Sequence, residues 1–294
     1  MILVAGSANI DFVTRVEHIP APGETVLGGS YSVSGGGKGA NQAVACARAG
    51  GKVAFLGALG HDSFADTLRF SLRESGVQDL SVQLTLPTGA AFISVSEAGE
   101  NAITVASGAN AGLLPDMLPG LKGFTHLVMQ LEIPLTTVIA CAQAARAAGV
   151  QVVLNAAPAR PLPPELLGNV DLLVVNEGEL ASLAGHGEVH EQLRRAALLG
   201  PRQVIVTLGA EGSLALDGEA FIPVPACQVA VLDTTGAGDT YLGALVTALS
   251  EGTGLPLAMR FAGTAAALAC TRPGAQPSMP TRAEIEAALS PTPG

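Results

Sequence analysis

The segment Asp233-Thr-Thr-Gly-Ala-Gly-Asp239-Thr240 sets a glycine turn, an acidic side chain and the start of a helical pattern at one point. A helix running on to about residue 250 turns the backbone N–H groups of Gly236, Ala237 and Gly238 outward at its N-terminus, where they attract anions. A carboxylate from Asp239 beside such an anion hole would repel a statically bound phosphate. It is well placed, however, to remove a proton during transfer, so the segment points to phosphoryl-transfer chemistry. A plainer reading stands beside it: Asp239 caps its helix, and Gly236 and Gly238 make a tight turn.

The glycine-rich run Gly35-Gly-Gly-Lys-Gly-Ala-Asn41 is a second candidate. It lacks the GxxxxGK(S/T) spacing of a phosphate-cradling loop. Gly35-x-Gly37-x-x-Ala40, with Asp62 further on, is a loose match to the dinucleotide fingerprint. That run follows an irregular β-prone region rather than the first strand, and the match leaves residues 233–239 unexplained. The remaining reading is a close backbone approach to a small polar ligand, with Lys38 and Asn41 as donors.

The elements that must position these residues alternate. Strands are expected at residues 2–8, 53–59, 125–130, 151–154, 171–175 and 203–207, with helices at 41–49, 63–74 and 135–148, a short helix after 154 and two helices after 175. This order implies a doubly wound, mainly parallel α/β sheet flanked by helices. Later strands at 213–216 and 226–232, probable antiparallel partners by pattern, precede helices at 237–250, 255–270 and 281–289. Residues 12–34 and 87–108 instead hold short β-prone pieces, including a hairpin around Glu97-Ala-Gly-Glu100, and read as a small β-lid on a single domain spanning 1–294. Ligands in such sheets bind outside the carboxyl ends of the strands. The strand ends here carry Asn9 and Asp11, Glu132, Asn155, Asn176, and Thr207 with Gly209. Each alone reads as a turn residue, but together they make an acidic set (Asp11, Glu132, Asp239) beside an uncharged polar set (Asn155, Asn176, Thr207), matching a hydroxyl-rich substrate and a nucleotide.

Composition narrows the partners. The net charge of −10, from 25 acidic and 15 basic residues, argues against nucleic acid. A polyphosphate would need focused positive elements such as a helix start, a divalent cation or Lys38. No apolar run reaches membrane-spanning length and residues 1–10 lack a basic leader, so a cytoplasmic, non-membrane protein is expected. Cys46, Cys141, Cys227 and Cys270 lie far apart without metal-ligand spacing and read as free thiols.

With these residues laid out, the chain resembles the PfkB-type (ribokinase-like) carbohydrate kinase family nearly end to end. The agreement runs through Gly6-Ser-Ala-Asn-Ile-Asp11, Pro22-Gly-Glu-Thr25, Gly36-Gly-Lys-Gly-Ala-Asn-Gln-Ala43, Met129-Gln-Leu-Glu132, Ala157-Pro-Ala159, Asn176-Glu-x-Glu179, Thr207-Leu-Gly209, the 233–240 segment and Thr271-Arg-x-Gly-Ala-Gln-Pro-Ser278. The resemblance implies ATP-dependent phosphorylation of D-ribose at its 5-hydroxyl, with Asp239 as base and Gly236, Ala237 and Gly238 as anion hole. It implies sugar contacts from Asn9, Asp11, Gly37, Lys38, Asn41 and Glu132. Nucleotide contacts would come from Asn176, Thr207, Gly209, Gly212 and Gly238, with Glu179 holding the Mg²⁺–phosphate region through water. It further implies an activating K⁺ beside the anion hole at Asp233, Thr235, Ala269, Arg272, Gly274 and Ser278, and a homodimer formed through the lid. Ala156 and Gly263 depart from the family, which usually carries proline at the first position and often a larger polar residue near the adenine at the second. Related kinases of adenosine, fructose or a keto-sugar acid, a non-catalytic sugar- or nucleotide-binding regulator, and an NAD-binding dehydrogenase are the alternatives.

Overall fold

In the computed structural model, which describes residues 1–289, the chain opens with β1 (Ile2–Ala5), β2 (Asn9–Val16), β3 (Tyr31–Gly36), α1 (Lys38–Arg48), β4 (Val53–Leu56), β5 (Ala58–Leu59) and α2 (Ser63–Glu74). It continues through β6 (Gln78–Asp79), β7 (Val82–Gln83), β8 (Gly89–Ser96), β9 (Asn101–Ala106), β10 (His126–Met129), α3 (Leu135–Ala147), β11 (Gln151–Asn155), α4 (Pro164–Leu167) and β12 (Leu172–Asn176). The last part holds α5 (Glu177–Ala184), α6 (Val189–Leu198), β13 (Gln203–Thr207), β14 (Ser213–Asp217), β15 (Ala220–Val224), α7 (Ala237–Ser250), α8 (Leu255–Ala269) and α9 (Arg282–Leu289).

Nine strands form one sheet in the order β15-β14-β13-β12-β11-β10-β1-β4-β6, parallel except for β14 and β15. The central strands are near-continuous Val/Ile/Leu runs because both faces are covered. Side chains alternate across the pleat, so Ile2 and Val4 join one core with Phe55, Leu242 and Ala262 from the α1, α7 and α8 side. Leu3 and Ala5 join the other, with Val138, Leu180 and Leu193 from α3, α5 and α6. Helices α1 and α7 touch through small residues: a Cβ on Gly243 would lie 2.7 Å from the Cys46 nitrogen, so only glycine allows this approach.

A second sheet of four strands, β3-β2-β8-β9, stands apart. Its β8–β9 hairpin turns at Glu97–Glu100 as the sequence implies, and β2 and β8 run parallel. By register Tyr31, Val33 and Phe92 lie exposed on one face, and Ile103 and Val105 on the other.

Three expectations need correction. The first strand stops at Ala5 rather than residue 8, because Gly6 packs against the Gly39 backbone and the chain turns there into the small sheet. Asn9 and Asp11 therefore open β2 instead of closing β1. Strand 53–59 breaks at Gly57 into β4 and β5. Residues 226–232 form no strand; β14 turns back at Gly218 (φ 59°) into β15, an edge strand that tolerates Pro223 because its N–H side needs no partner. The alternation in 226–232 instead reflects a loop with Val231 and Leu232 exposed. Among the described residues, no helix is long and apolar enough to cross a membrane.

Candidate active site

The starts of α1 and α7 meet the ends of β1 and β10. Gly37 precedes α1 at φ 85°, and a Cβ there would lie 2.7 Å from the Asn9 nitrogen. The glycine-rich loop thus serves close backbone approach, the third of its three readings. This approach lets Ser7 Oγ donate to Glu132 Oε2 at 2.5 Å and the Lys38 N–H donate to the same oxygen at 3.1 Å. Glu132 Oε1 has no hydrogen-bond partner among the described residues.

Asp239 occupies the first turn of α7 but does not cap it. Gly236, in the left-handed region at φ 75°, is the N-cap and no side chain bonds to the helix start. The Asp239 carboxylate reaches across to α1, accepting from Asn41 Nδ2 at 3.0 Å and Gln42 Nε2 at 2.9 Å. Each oxygen keeps a further lone pair. Burial pushes the Asp239 carboxyl above the ordinary range, opposed by the Lys38 charge and the two amide donors and assisted by Glu132. An acid raised in this way is a better base at neutral pH. The N–H of Ala237 is used in the turn, donating to Thr234 O at 3.1 Å. Those of Gly236, Gly238 and Asp239 have no partner among the described residues, so a cluster of orphan donors remains beside the carboxylate.

The surroundings are acidic. Asp11 rises to about 7, through burial first and then the charges of Glu132 and Asp239; its carboxylate has no hydrogen-bond donor among the described residues. Glu179 also rises, chiefly by burial. Burial draws Lys38 down, but Asp239, Glu132 and Glu179 outweigh it and hold the ammonium charged. Three carboxylates around one lysine, with Asp11 beside them, fit a divalent cation arriving with a polyphosphate. Among the described residues no three acidic, histidine or cysteine side chains form a cage for an ion.

Two cavities lie nearby, the first reached by Ala237 and Gly238 next to Asp239 and the second by Glu132, whose charge acts on Asp239. One, of about 290 Å³, is lined by Thr207, Gly209, Gly212 and Ser213, apolar Val224, Pro225 and Ala266, and by Ala237 and Gly238. Gly263 lines it too, with nothing within 4 Å of where its Cβ would be. The other, of about 340 Å³, is lined by Asn9, Ser107, Asn110, Glu132, Pro158 and Arg160 among others. Asp11, Gly37, Lys38, Asn41 and Asp239 do not line this second cavity; Asp11 and Lys38 border it next to Glu132 and Gly37 next to Asn9, while Asn41 is bound to Asp239. Asn176 and Glu179 lie outside the first cavity's wall, in a reciprocal cap of α5: Asn176 N–H donates to Glu179 Oε2 at 2.9 Å and Glu179 N–H to Asn176 Oδ1 at 2.8 Å. Asn176 pairs in register with Thr207, which brings it to the cavity's edge.

The proposed monovalent-cation residues also converge. Asp233 Oδ1 accepts from the N–H (2.9 Å) and hydroxyl (2.6 Å) of Thr235, and Oδ2 from the Gly274 N–H at 2.8 Å. These bonds hold its carboxyl below the usual range, against burial. Ser278 Oγ donates to Ala275 O at 2.7 Å and the Arg272 N–H to Ala269 O at 3.1 Å. The Arg272 guanidinium is bound to Glu284 at 2.5 Å, so only its backbone is left for an ion. One carboxylate among hydroxyl and carbonyl oxygens is a donor set for a hard monovalent cation.

Several buried amides at the site had no role in the sequence reading. Asn110, 1% exposed, binds Ala8 through both backbone atoms and donates to Asn9 Oδ1 at 2.8 Å. Gln42, Gln130 and Gln276 connect to Asp239, directly or through one neighbour. All three glutamines fall inside segments shared with the family, which is the one signal that marks them; Asn110, among glycines and alanines, carries none.

A family model described as pfkB family carbohydrate kinase matches residues 1–282. The chain is 41% identical to a ribokinase of Haemophilus influenzae over 295 residues, covering 96% of each chain. Among solved structures it is similar to a Thermotoga maritima ribokinase (TM-score 0.91, 37% identity, 98% of both chains). It is also similar to an Arabidopsis thaliana ribokinase complexed with ribose and ATP (TM-score 0.89, 33% identity, 99% of both chains). With its α/β architecture and paired cavities, this chain belongs to the pfkB family of carbohydrate kinases.

Proposed function

We propose that the protein transfers the γ-phosphoryl group of ATP to the 5-hydroxyl of D-ribose, giving D-ribose 5-phosphate and ADP. One observation carries the reading: the Asp239 carboxylate is buried at the start of α7 beside unpartnered backbone N–H groups, bound to α1 side chains rather than to its own helix. Ribose occupies the cavity of Asn9 and Glu132, with Asp11, Gly37 and Lys38 at its border and Asn41 bound to Asp239, and ATP that of Thr207, Gly209, Gly212 and Gly238. Asp239 takes the proton of the attacking hydroxyl as its oxygen approaches phosphorus, a contribution of about 10²–10⁴ in rate. Orphan N–H groups of the Gly236–Asp239 turn and the Lys38 ammonium stabilise charge on the transferring group. Glu179 would hold magnesium through water, and the ion would supply neutralisation of the phosphate oxygens. Asp233, Thr235, Ala269, Arg272, Gly274 and Ser278 hold a potassium ion that orders the anion loop.

In this reading residues 1–294 act as one catalytic unit. The small sheet closes over the sugar and excludes water, which would otherwise accept the phosphoryl group. Its exposed apolar residues pair with those of a second copy, and the enzyme works in the cytoplasm, where ATP is made and consumed. Coupled ADP release across ribose, deoxyribose, fructose and adenosine tests the assignment. Ribose should lead the panel, and Asp239→Asn should bind ribose while losing about 10²–10⁴ in turnover; unchanged turnover would remove the base assignment.

A further inference from the structure

Asp239 lies inside an unbroken run of six side chains: Ser71 on α2, Gln276, Asn41 and Gln42 on α1, Asp239 itself, and Gln130 just after β10. Every bond in the run donates toward the carboxylate. On one side Ser71 Oγ donates to Gln276 Oε1 (2.7 Å), Gln276 Nε2 to Asn41 Oδ1 (3.1 Å), and Asn41 Nδ2 to Asp239 Oδ2 (3.0 Å). On the other, Gln130 Nε2 donates to Gln42 Oε1 (2.5 Å) and Gln42 Nε2 to Asp239 Oδ1 (2.9 Å). Gln42 and Gln130 are fully buried and Asn41 and Gln276 nearly so, so water does not replace a missing partner.

We propose that Gln130 and Gln276 are positioning residues for proton removal, the first acting through Gln42 and the second through Asn41; the inference rests on the phosphoryl-transfer reading above. A carboxamide turns its oxygen or its NH₂ toward a neighbour at almost equal steric cost. The wrong sense at Asn41 or Gln42 sets an oxygen against the carboxylate and swings its free lone pair away from the hydroxyl it must meet. A donor bound to the far oxygen of each amide removes that choice. Gln130 Oε1 is buried without a partner, an arrangement poor for stability. It is what keeping the NH₂ aimed inward requires, and such local sacrifices gather at functional sites. Asn155 supports the same sense, its Oδ1 accepting from Gln42 Nε2 at 3.2 Å.

The test replaces each outer amide by a side chain of similar volume without donors, Gln130→Met and Gln276→Met, in the full chain. The expected result is a fall of about tenfold in kcat with KM for ribose and ATP within about twofold. Placed together with Asp239→Asn, either change should cost nothing further in single-turnover rate, because its effect passes through that carboxylate. Equal losses with and without Asp239→Asn, or changes confined to KM, overturn the inference. If melting shows that Gln130→Met does not fold, Gln276→Met and the milder Ser71→Ala decide it through the other branch, Ser71→Ala with about a twofold loss in kcat. Absence of ribose-dependent ADP release in the unmodified protein refutes the functional reading itself. Normal turnover lost on Asp239→Asn but retained in the methionine variants refutes this inference alone.

Discussion

Ribose has no group that titrates near neutrality, so any pH dependence of its binding reports the protein. Asp11 borders the sugar cavity with a carboxyl that burial, Glu132 and Asp239 lift to about 7, and without a protein donor to satisfy its oxygens. Sugar hydroxyls donate to the carboxylate, so binding selects the ionised form. The apparent Kd for ribose should then be near its limiting value at pH 8, about twofold weaker at pH 7 and about elevenfold weaker at pH 6. Calorimetric titration without nucleotide measures this directly. Glu132→Gln removes the second cause of the shift, so the midpoint should move to lower pH while binding as a whole weakens; Asp11→Asn should flatten the profile. Stability carries the opposite sign. The folded chain keeps the Asp11 proton up to about pH 7, whereas the unfolded chain releases it near 3.8, so this group's contribution declines as pH rises through that window. Affinity that is flat from pH 6 to 8, or that weakens toward alkaline pH, refutes the argument.

Two other outcomes follow from the same geometry. Asp233→Asn removes the one carboxylate of the 233–278 loop pair, so stimulation by K⁺ should be lost while ribose binding persists, read as ADP release with K⁺ against a tetraalkylammonium salt. Phe55→Ala empties a fully buried site in the central sheet and should cost about 3–5 kcal/mol in urea unfolding.

Much of the fold was legible because local signals agreed with tertiary need. Helix α2 begins where Asp62 accepts from the Ala65 N–H, the cap its sequence advertises, and β13 falls on the expected 203–207. Residues 226–232 misled because alternation marks a half-exposed face whether or not a ladder forms, while the real edge strand contains a proline. Asp239 stood out in the sequence because it follows a glycine turn at a helix start, and the structure decides against its other reading as a helix cap, since Gly236 holds that position without a side-chain bond. Gln130, Gln276 and Asn110 did not stand out, since a buried amide gains its meaning from partners about a hundred residues or more distant, as Gln276 does from Asn41. The rim reading assumed that the first strand carried Asn9 and Asp11, which instead open β2.

That reassignment has a mechanical result. Strand β2 is anchored at its root, where Ala8 and Asn9 are tied to Asn110, and its far end belongs to the small sheet, so it works as a cantilever. Any tilt of the small sheet about that root would displace Val16 far more than Asp11. Phe12 stacks on Phe92 within the sheet at 5.4 Å and meets Phe64 of α2 edge-on at 5.6 Å, a three-ring latch between the small sheet and the body. The stiffness against such a tilt is thus set by aromatic contact away from the ligand, and can be tuned without touching a residue that grips it.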